Sequence, residues 1–384
     1  MIVLKATKGR LYPNSTQQHK IDTTLSHCRY IYNEMLVRNI KIYKRRSEHL
    51  AYYDMQYLLK DIKTYKPWLY EADSQALAYA CRQLDDAYKR FFKHEGGFPK
   101  FHKKNGRQSY TSTNPVAIRI ESNRIRIPTV GFVKVRGLKP LSDGAKIQRI
   151  TVSREPDGKY YVSVLYKQDI DIPVHSFSFD NVLGMDYSSS HLYVDSNGNK
   201  PDFEHMFSKS QAKLAKAQRV LSRRMGSRKG EKKSSNWRKQ HRKVSRIQCR
   251  IANQRADALH KLSKQLTDTY DAIAVEDIDM HNLSNKGFGN GKATMDNGFG
   301  MFRTMLDYKL QDRGKPLLIK INRFHPSSQL CSHCGYQNPD LKDLSIRKWQ
   351  CPKCGTVHNR DVNAAINIKN EGIHILKEQY KAVI

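Results

Sequence analysis

The first quarter of the chain carries apolar residues at the spacing of amphipathic helices. Leu77, Cys81 and Leu84, for example, recur at intervals of four and three residues among polar neighbours. This pattern predicts a helical domain over about 20–92. The pair Gly96-Gly97 predicts its end, since glycine favours turns over helix.

Apolar and polar residues alternate between Tyr110 and Tyr166, which is typical of half-buried strands. The run Arg124-Ile125-Arg126-Ile127 shows this alternation, and Pro156-Asp157-Gly158 has the composition of a hairpin turn. Residues 2–11 can supply one more strand. The sequence therefore predicts a β-rich domain into which the helical domain is inserted.

After Asp180, predicted strands alternate with predicted helices, an order that indicates an α/β domain. The strands are predicted at 182–186, 191–194, 272–276 and 317–321, and the helices at 209–270 (with a break at 226–235) and 299–314. The glycine-rich segment 286–300 has the composition of a mobile loop. Because it follows Glu276, we expect it to gate access to a site there, with Gly287, Gly289 and Gly291 allowing the movement.

The chain is strongly basic. Its 384 residues include 68 lysines and arginines against 36 acids, a formal charge of +32. Self-repulsion of this size opposes a compact fold unless a polyanion offsets it, so a nucleic-acid partner is expected. A ribosomal or chromatin protein would be equally basic, but it would have no reason to carry the acidic constellation described below.

Two further features of composition narrow the class of protein. Apolar residues make up 39% of the chain, which is enough to form hydrophobic cores. The chain as a whole is therefore not a disordered tail. The sequence contains no long apolar run and no signal peptide, so we expect a cytoplasmic protein that contacts no membrane and associates with the nucleoid.

Basic residues are densest at 209–250, where Trp237 is available to stack on bases. A solvated basic helix face is the alternative interpretation.

Four of the seven cysteines form two close pairs, Cys331/Cys334 and Cys351/Cys354, separated by sixteen residues. This spacing predicts one tetrahedral Zn²⁺ site. A site closed by four thiolates leaves no open coordination position, so the zinc would fold its module and not catalyse. The alternative is four reduced structural thiols.

The remaining cysteines and the nearby histidines are interpreted differently. Cys28, Cys81 and Cys249 are scattered, and a disulfide framework is disfavoured in an intracellular protein. His333 and His358 are expected to be surface residues and not ligands.

Three acids stand where a metal-dependent nuclease needs them. Asp186 and Glu276 are each predicted at the end of a strand, and Asp361 at the start of a helix after the cysteines. In open α/β sheets, sites form beyond the carboxyl ends of strands, so the three carboxylates can converge. Two Mg²⁺ ions bound there would support in-line hydrolysis of a phosphodiester. The alternative is that each is an ordinary surface or capping acid.

Several short motifs resemble those of the TnpB family, transposon-encoded RNA-guided DNA endonucleases related to type V CRISPR effectors. Cys28-Arg29-Tyr30-Ile31-Tyr32-Asn33 is similar to the family's helical-domain signature, and Gly97-Phe98-Pro99-Lys100-Phe101 to its return to the β-rich domain. The other motifs are Leu183-Gly184-Met185-Asp186, Val275-Glu276-Asp277, the run from Asn359 to Asn367, and Pro326-Ser327-Ser328-Gln329-Leu330-Cys331 before the cysteine pairs.

The resemblance implies a multidomain α/β plus β-barrel fold. Its parts would be a wedge-like β-barrel (1–15 and 96–178) interrupted by a helical recognition domain (16–95), and an RNase H-like RuvC nuclease domain (179–328 and 358–384) with an inserted zinc module (329–357). Asp186, Glu276 and Asp361 would be the catalytic triad that binds two Mg²⁺ ions, and Cys331, Cys334, Cys351 and Cys354 would bind Zn²⁺.

The partners implied by the resemblance are a guide RNA from the protein's own transposon locus and double-stranded target DNA, cut beside a short flanking motif. Tyr187 and Asn359 depart from the family pattern, because many members have a small or apolar residue at the first position and an acid at the second. Two alternatives remain open: an RNA-guided repressor that does not cut, and an RNase H-like transposase that uses no guide RNA.

Overall fold

A computed structural model describes residues 2–104, 106–169, 177–225, 233–285, 291–315 and 318–381. The chain forms two compact units, Met1–Asp171 and Ile172–Ile384. None of the described helices combines the length and apolar composition needed to cross a lipid bilayer.

The first unit consists of one sheet and three long helices. Its strands are β1 (Ile2–Tyr12), β2 (Gln108–Ser112), β3 (Arg119–Glu121), β4 (Arg124–Ile127), β5 (Gly131–Arg136), β6 (Lys146–Arg154) and β7 (Tyr160–Asp169), and its helices are α1 (Ser15–Arg46), α2 (Tyr52–Tyr65) and α3 (Ser74–Phe92). The helices lie between β1 and β2 in the chain. The predicted insertion of helices into a β-rich region is therefore confirmed.

The sheet has the order β2-β6-β7-β1-β5-β4-β3, with every pair antiparallel. Strand β1 lies in its middle and pairs with β7 from Ile2 to Leu11. The opening strand predicted from the sequence is thus central to the sheet. At the end of β1, the Asn14 side chain caps α1 by accepting from the Gln17 backbone N–H at 2.8 Å.

The helices and the sheet of this unit share one hydrophobic core. Leu77, Cys81 and Leu84, whose spacing predicted a helix, are all fully buried on α3. They belong to the same cluster as Val133 and Val162 of the sheet. The buried apolar face of α3 therefore stabilises the helix by packing, which outweighs its intrinsic propensity.

The second unit is built on a smaller sheet. Its strands are β8 (Val182–Ser188), β9 (Leu192–Asp195), β10 (Ala272–Glu276), β11 (Ile319–Ile321), β12 (Lys348–Gln350) and β13 (Val357–Asn359), and its helices are α4 (Met206–Arg223), α5 (Ser235–Thr269), α6 (Met280–Leu283), α7 (Gly291–Asn297), α8 (Phe299–Asp312) and α9 (Arg360–Lys381). The main sheet has the order β11-β10-β8-β9, in which β9 is antiparallel to the parallel set β8, β10 and β11.

Helices cover both faces of this sheet, which explains why its central strands are continuously apolar. On one face, Ile273 and Val275 pack in a cluster with Phe299 and Phe302 of α8. On the other face, Ala272 and Ala274 of β10 pack in a cluster with Ile368 and Leu376 of α9. Successive residues of a strand therefore point alternately to α8 and to α9.

Two glycines bring α9 close to the sheet. A Cβ at Gly184 would lie 2.1 Å from the Ala365 carbonyl oxygen, and a Cβ at Gly372 would lie 2.5 Å from the Cβ of Ala274. Either side chain would push α9 away from the strands. The position of α9, and with it the position of Asp361, depends on these contacts.

Strand β8 and the glycine-rich segment of this unit differ from their predictions. Strand β8 continues to Ser188, two residues past Asp186, because residues up to Ser188 pair with β9. The segment 286–300 is not a loop throughout: α7 starts at Gly291 and α8 at Phe299. Residues 286–290, including Gly287 and Gly289, lie outside the described residues.

Candidate active site and four-cysteine cluster

The alternation along β8 and β10 places two acids on the face of the sheet that α9 covers. Gly184 faces α9, so Asp186 points the same way two residues later. Glu276 follows Ala274 in the same manner on β10, which runs parallel to β8. Asp361 lies in the first turn of α9. The structure therefore brings together the three acids predicted from the sequence.

Glu276 and Asp361 lie close enough to Asp186 for their charges to act on its carboxyl group. Burial raises the pKa of the Asp186 carboxyl well above its usual value, and the negative charges of Glu276 and Asp361 raise it further. Arg360 acts in the opposite direction. Neighbouring like charges resist being ionised at the same time, and a bound divalent cation reverses that penalty.

Neighbouring side chains hold two of the carboxylates. The Ser327 hydroxyl donates a hydrogen bond to Oε1 of Glu276. The Asp361 Oδ1 lies 3.3 Å from the guanidinium of Arg347, an exposed residue. Within the described ranges, only the four cysteines form a group of metal-ligating side chains whose donor atoms all lie within 4.8 Å of one another. The oxygen atoms of the three carboxylates therefore do not all lie that close to one another.

The departure at Asn359 has a structural explanation. Its side-chain oxygen accepts hydrogen bonds from the backbone N–H groups of Asp361, at 3.1 Å, and Val362, at 3.2 Å. Asn359 is therefore the N-cap of α9, and asparagine is among the preferred residues at that position. The Asp361 carboxylate does not cap the helix in this arrangement.

The sequence interpretation missed a set of buried polar residues around Asp361. Asn367 donates to the carbonyl of Ser327 at 2.7 Å, and Asn363 donates to the carbonyl of Leu330 at 2.6 Å. Arg360 donates to the carbonyl of Leu341 at 2.8 Å. The start of α9 thus binds both the segment that leads into the first cysteine pair and the segment between the two pairs. The spacing of Asn363 and Asn367 by four residues was the available signal, since it puts both on one helix face.

The four predicted zinc ligands converge. Sγ of Cys331 lies 3.6 Å from Sγ of Cys354, and the same distance separates Cys334 from Cys351. Gly335 and Gly355 follow the two pairs with φ angles of 73° and 75°, a left-handed conformation that favours glycine. Four thiols in two such turns are the donor set of a structural zinc site.

His358 differs from its predicted surface position. It is buried, packs against Trp349, and places its Nε2 3.1 Å from Sγ of Cys331. Burial, aided by the charge of His333, lowers the pKa of His358 and favours the neutral ring. A neutral ring can donate one N–H to the Cys331 sulfur. The other histidine, His333, is exposed as expected.

Helix α7 is attached to the segment that follows Asp186. Asn297, which is fully buried, donates to the carbonyls of Ser188 and Ser189 at 3.1 and 2.9 Å. The adjacent Asp296 accepts from the backbone N–H groups of Phe207 and Ser208 at the start of α4. These contacts hold α7 between the strand end and α4. A gating movement of residues 291–300 would have to break these hydrogen bonds of Asn297 and Asp296.

Helices α4 and α5 pack together and expose a basic surface, here called the basic hairpin. Leu214 and Ala217 of α4 cluster with Val244 and Ile251 of α5. Its exposed cations include Lys213, Lys216, Arg219, Arg238, Lys239, Arg242, Lys243, Arg246 and Arg250. Trp237 is half-buried and stacks on His241, with 4.9 Å between ring centroids.

The fold and the site together define a class: a basic multidomain α/β protein with an acidic cluster at a sheet edge and a four-cysteine cluster beside it. Family models match three segments. They are described as "Helix-turn-helix domain" over residues 1–48, "Probable transposase" over 174–286 and "Cas12f1-like, TNB domain" over 299–368. In the structure, the first of these segments is one strand followed by one long helix.

Relatives match nearly the whole chain. "Putative RNA-guided DNA endonuclease InsQ" of Escherichia coli (strain K12) is 30% identical, covering 97% of this chain and 93% of that protein. "Putative RNA-guided DNA endonuclease" of Streptomyces pristinaespiralis is 32% identical, covering 97% and 90%. The chain belongs to the TnpB family, as its motifs predicted.

A solved structure shows the same fold. The protein in "Cryo-EM structure of the Cas12f1-sgRNA-target DNA complex" aligns with a TM-score of 0.53 over 96% of this chain and 99% of that chain. The two sequences are only 12% identical, so the likeness concerns the fold alone.

Proposed function

We propose that this protein is an RNA-guided DNA endonuclease of a transposable element that cuts target DNA by metal-dependent phosphodiester hydrolysis. The convergence of Asp186, Glu276 and Asp361 on one face of the sheet carries this proposal. The charge of +32 and the names of the relatives support nucleic acid as partner and substrate. The guide RNA would come from the transposon locus itself, and a short motif would flank the target.

The chemistry of the donor set fits divalent magnesium. Carboxylate oxygens are the ligands that Mg²⁺ prefers, and a divalent cation beside the buried Asp186 carboxyl would favour its charged form. Bound there, two Mg²⁺ ions would supply an activated water and stabilise the leaving oxygen. The protein's own contribution is to orient Glu276 through Ser327 and to hold the Asp361 backbone through Asn359.

The four cysteines are proposed as ligands of one structural Zn²⁺ ion. The first unit is proposed as the wedge-like barrel, at 1–15 and 96–178, with its helical recognition domain at 16–95. The remainder is proposed as a RuvC-like nuclease domain, at 179–328 and 358–384, with a zinc module at 329–357. The described contacts of Asn363, Asn367 and Arg360 support a zinc module that is held against the catalytic helix.

The two alternatives differ from this proposal in one observable each. A repressor would bind its guide and target without cutting, and it would have no need for three mutually repelling acids in one place. A transposase without a guide would bind no RNA. The burial of the Asp186 carboxyl beside two other acids favours the endonuclease over the repressor, because a buried carboxylate beside like charges costs stability unless a cation binds it.

The deciding experiment expresses the protein together with the flanking DNA of its own locus and sequences any RNA that copurifies. A plasmid carrying a sequence matched to that RNA is then incubated with the complex and Mg²⁺. Cutting that depends on the match is expected. Guide-dependent binding without cutting would favour the repressor, and absence of bound RNA would point to the transposase.

The basic hairpin is expected to bind the nucleic-acid backbone. Replacing Arg242, Lys243 and Arg246 together by glutamine should weaken RNA binding about 10- to 100-fold at physiological salt and lower the slope of log Kd against log salt by roughly two to three. Filter binding over a salt series measures both. As a control, Lys261→Gln removes an exposed charge of the same helix that pairs with Asp257 at 2.7 Å, and it should change neither value. An unchanged salt slope in the triple variant would remove the hairpin from the interface.

The Ser327 hydroxyl is expected to position Glu276 for catalysis. Ser327→Ala should lower the cleavage rate about tenfold, the effect of roughly 1.4 kcal/mol, while guide and target affinities stay unchanged. Single-turnover cleavage of a matched plasmid measures the rate. Ser328→Ala, one residue away, is the matched control. Equal rates for both variants would show that the Ser327 hydrogen bond is not used.

A further inference from the structure

The first unit contains a cavity of about 330 Å³ between α1, α3 and the segment before β2, here called the Arg29 cavity. Arg29 and Tyr32 line it from α1, and Phe101, His102 and Lys103 line it from the other side. Arg29 and Tyr32 belong to one of the sequence motifs and Phe101 to another, and none of these residues is part of the carboxylate cluster. The volume is within the range of small-ligand sites.

The wall formed by His102 is fixed to α1. The side-chain amide of Asn33 donates to the His102 carbonyl at 3.0 Å, and the His102 backbone N–H donates to the Asn33 side-chain oxygen at 2.8 Å. The Tyr32 ring stacks on the His102 ring at 3.7 Å and 6°. This pair of hydrogen bonds and the stacking preorganise the cavity, so a ligand would not have to order it.

The charge around the Arg29 cavity is positive and incompletely balanced. Its lining includes Arg29, Lys103 and Arg107 and no acidic residue. Arg107 has Glu155 as a partner at 3.2 Å. For Arg29, no carboxylate within the described ranges lies within 4.0 Å, and its Nη1 is closed off from solvent without a hydrogen-bond partner.

A charged guanidinium that is partly buried without a carboxylate partner destabilises the protein, and a bound anion would offset this cost. Burial lowers the pKa of Arg29, and the charge of Arg154 lowers it further. Burial, and then the charge of Arg29, lowers the pKa of His102 as well. Burial is the largest cause of both shifts, and a neighbouring positive charge is the second.

We propose that the Arg29 cavity holds one unpaired nucleotide of the bound RNA, with its phosphate against Arg29 and Lys103 and its base at the half-exposed ring of Phe101. Guanidinium and ammonium groups bind phosphate, and aromatic rings stack on bases. Unpaired bases that can leave a stack are a feature of folded RNA, whereas the bases of duplex DNA are paired. The inference rests on the proposed RNA partner and adds the place where one nucleotide is held.

The test uses the full-length protein and the RNA that copurifies with it. Arg29→Ala should weaken RNA binding about tenfold and reduce the salt slope by about one, the signature of one lost phosphate contact. Arg45→Ala is the matched control, because Arg45 is an exposed cation on the same helix outside the cavity. Lys103→Ala is the second variant: Lys103 is exposed, so its loss should weaken binding without threatening the fold.

Crosslinking identifies the ligand. RNA that carries 4-thiouridine should crosslink to the peptide with Phe101 and His102 in wild type, and to a much smaller extent in Arg29→Ala. Unchanged affinity in both cavity variants, or a crosslink from target DNA to this peptide, would overturn the proposal. So would saturation of the cavity by AMP with no effect on RNA binding, which would indicate a free nucleotide. If wild type binds no RNA, the proposed function itself fails, an outcome distinct from these.

Discussion

Asp186→Asn is expected to abolish DNA cleavage while RNA and target DNA still bind. The neutral amide keeps the size of the side chain but removes one anionic ligand of the proposed magnesium site. Loss of one member of a group that acts together lowers rates by on the order of 10⁴-fold or more. Single-turnover cleavage and filter binding, measured on the same preparations, separate the two effects.

The same variant should stabilise the metal-free protein. Folding raises the pKa of this carboxyl above its ordinary value of 3.8. At a pH below 3.8 the group is protonated in both the folded and the unfolded protein and does not affect stability. As the pH rises above 3.8, the group increasingly lowers the free energy of unfolding. Asparagine removes this opposition. We therefore expect the Tm of the variant in chelator to exceed that of wild type at pH 7.5 by about 2–4 °C, the effect of roughly 1 kcal/mol in a unit of this size.

The pH dependence and a control make this prediction specific. Since wild-type Asp186 becomes protonated in acid, the difference in Tm should shrink towards pH 4. Asp202→Asn, at an exposed carboxylate of the same unit, should leave both cleavage and Tm unchanged. Added Mg²⁺ should raise the Tm of wild type more than that of Asp186→Asn. A variant that cuts at the wild-type rate would refute the proposed catalytic role of Asp186.

Cys331→Ser is expected to lose the bound zinc and, with it, both the fold of the cysteine region and cleavage. Zinc binding to such sites is folding free energy, with apparent values of about 10–16 kcal/mol in small zinc modules at neutral pH. Cys331 is buried, and the same region is attached to α9 through Asn363 next to Asp361. Unfolding of the region would therefore remove support from α9, the helix that carries Asp361.

Metal analysis and thermal unfolding measure this effect. Wild type should contain one zinc per chain, and a strong chelator should lower its Tm and its cleavage rate together. Cys249→Ser is the matched control, because Cys249 lies on α5 and is not part of the cluster. A Cys331→Ser protein that keeps one zinc and full activity would contradict the assignment of this cysteine as a ligand.

Most of the elements could be predicted because their signals are local. The period of apolar residues predicted α3, and the alternation in 124–127 predicted β4. The two CxxC pairs predicted a cluster because each pair makes its own turn within five residues. The glycine-rich segment was interpreted wrongly from Gly291 onward. There, Asn297 and Asp296 contribute hydrogen bonds to distant segments, and those bonds stabilise a helix that composition did not indicate.

Side-chain partners across the fold could not be predicted in the same way. Ser327 meets Glu276 across 51 positions of sequence, and Asn33 meets His102 across 69. His358 was expected at the surface, since nothing in its neighbours signals that β13 turns it towards Cys331. Each contact depends on how two separately formed elements pack, and a short stretch of sequence carries no information on that.

The sequence by itself determined the order of helices and strands, the four-cysteine cluster and the identity of the three acids, because periodicity and short-range spacing act within single elements. Only the tertiary structure decided that Asp186, Glu276 and Asp361 share one face of a sheet, and which residues hold them there. The physical reason is close packing: Gly184 and Gly372 let α9 approach the strands, and that approach sets where the start of the helix meets the sheet edge.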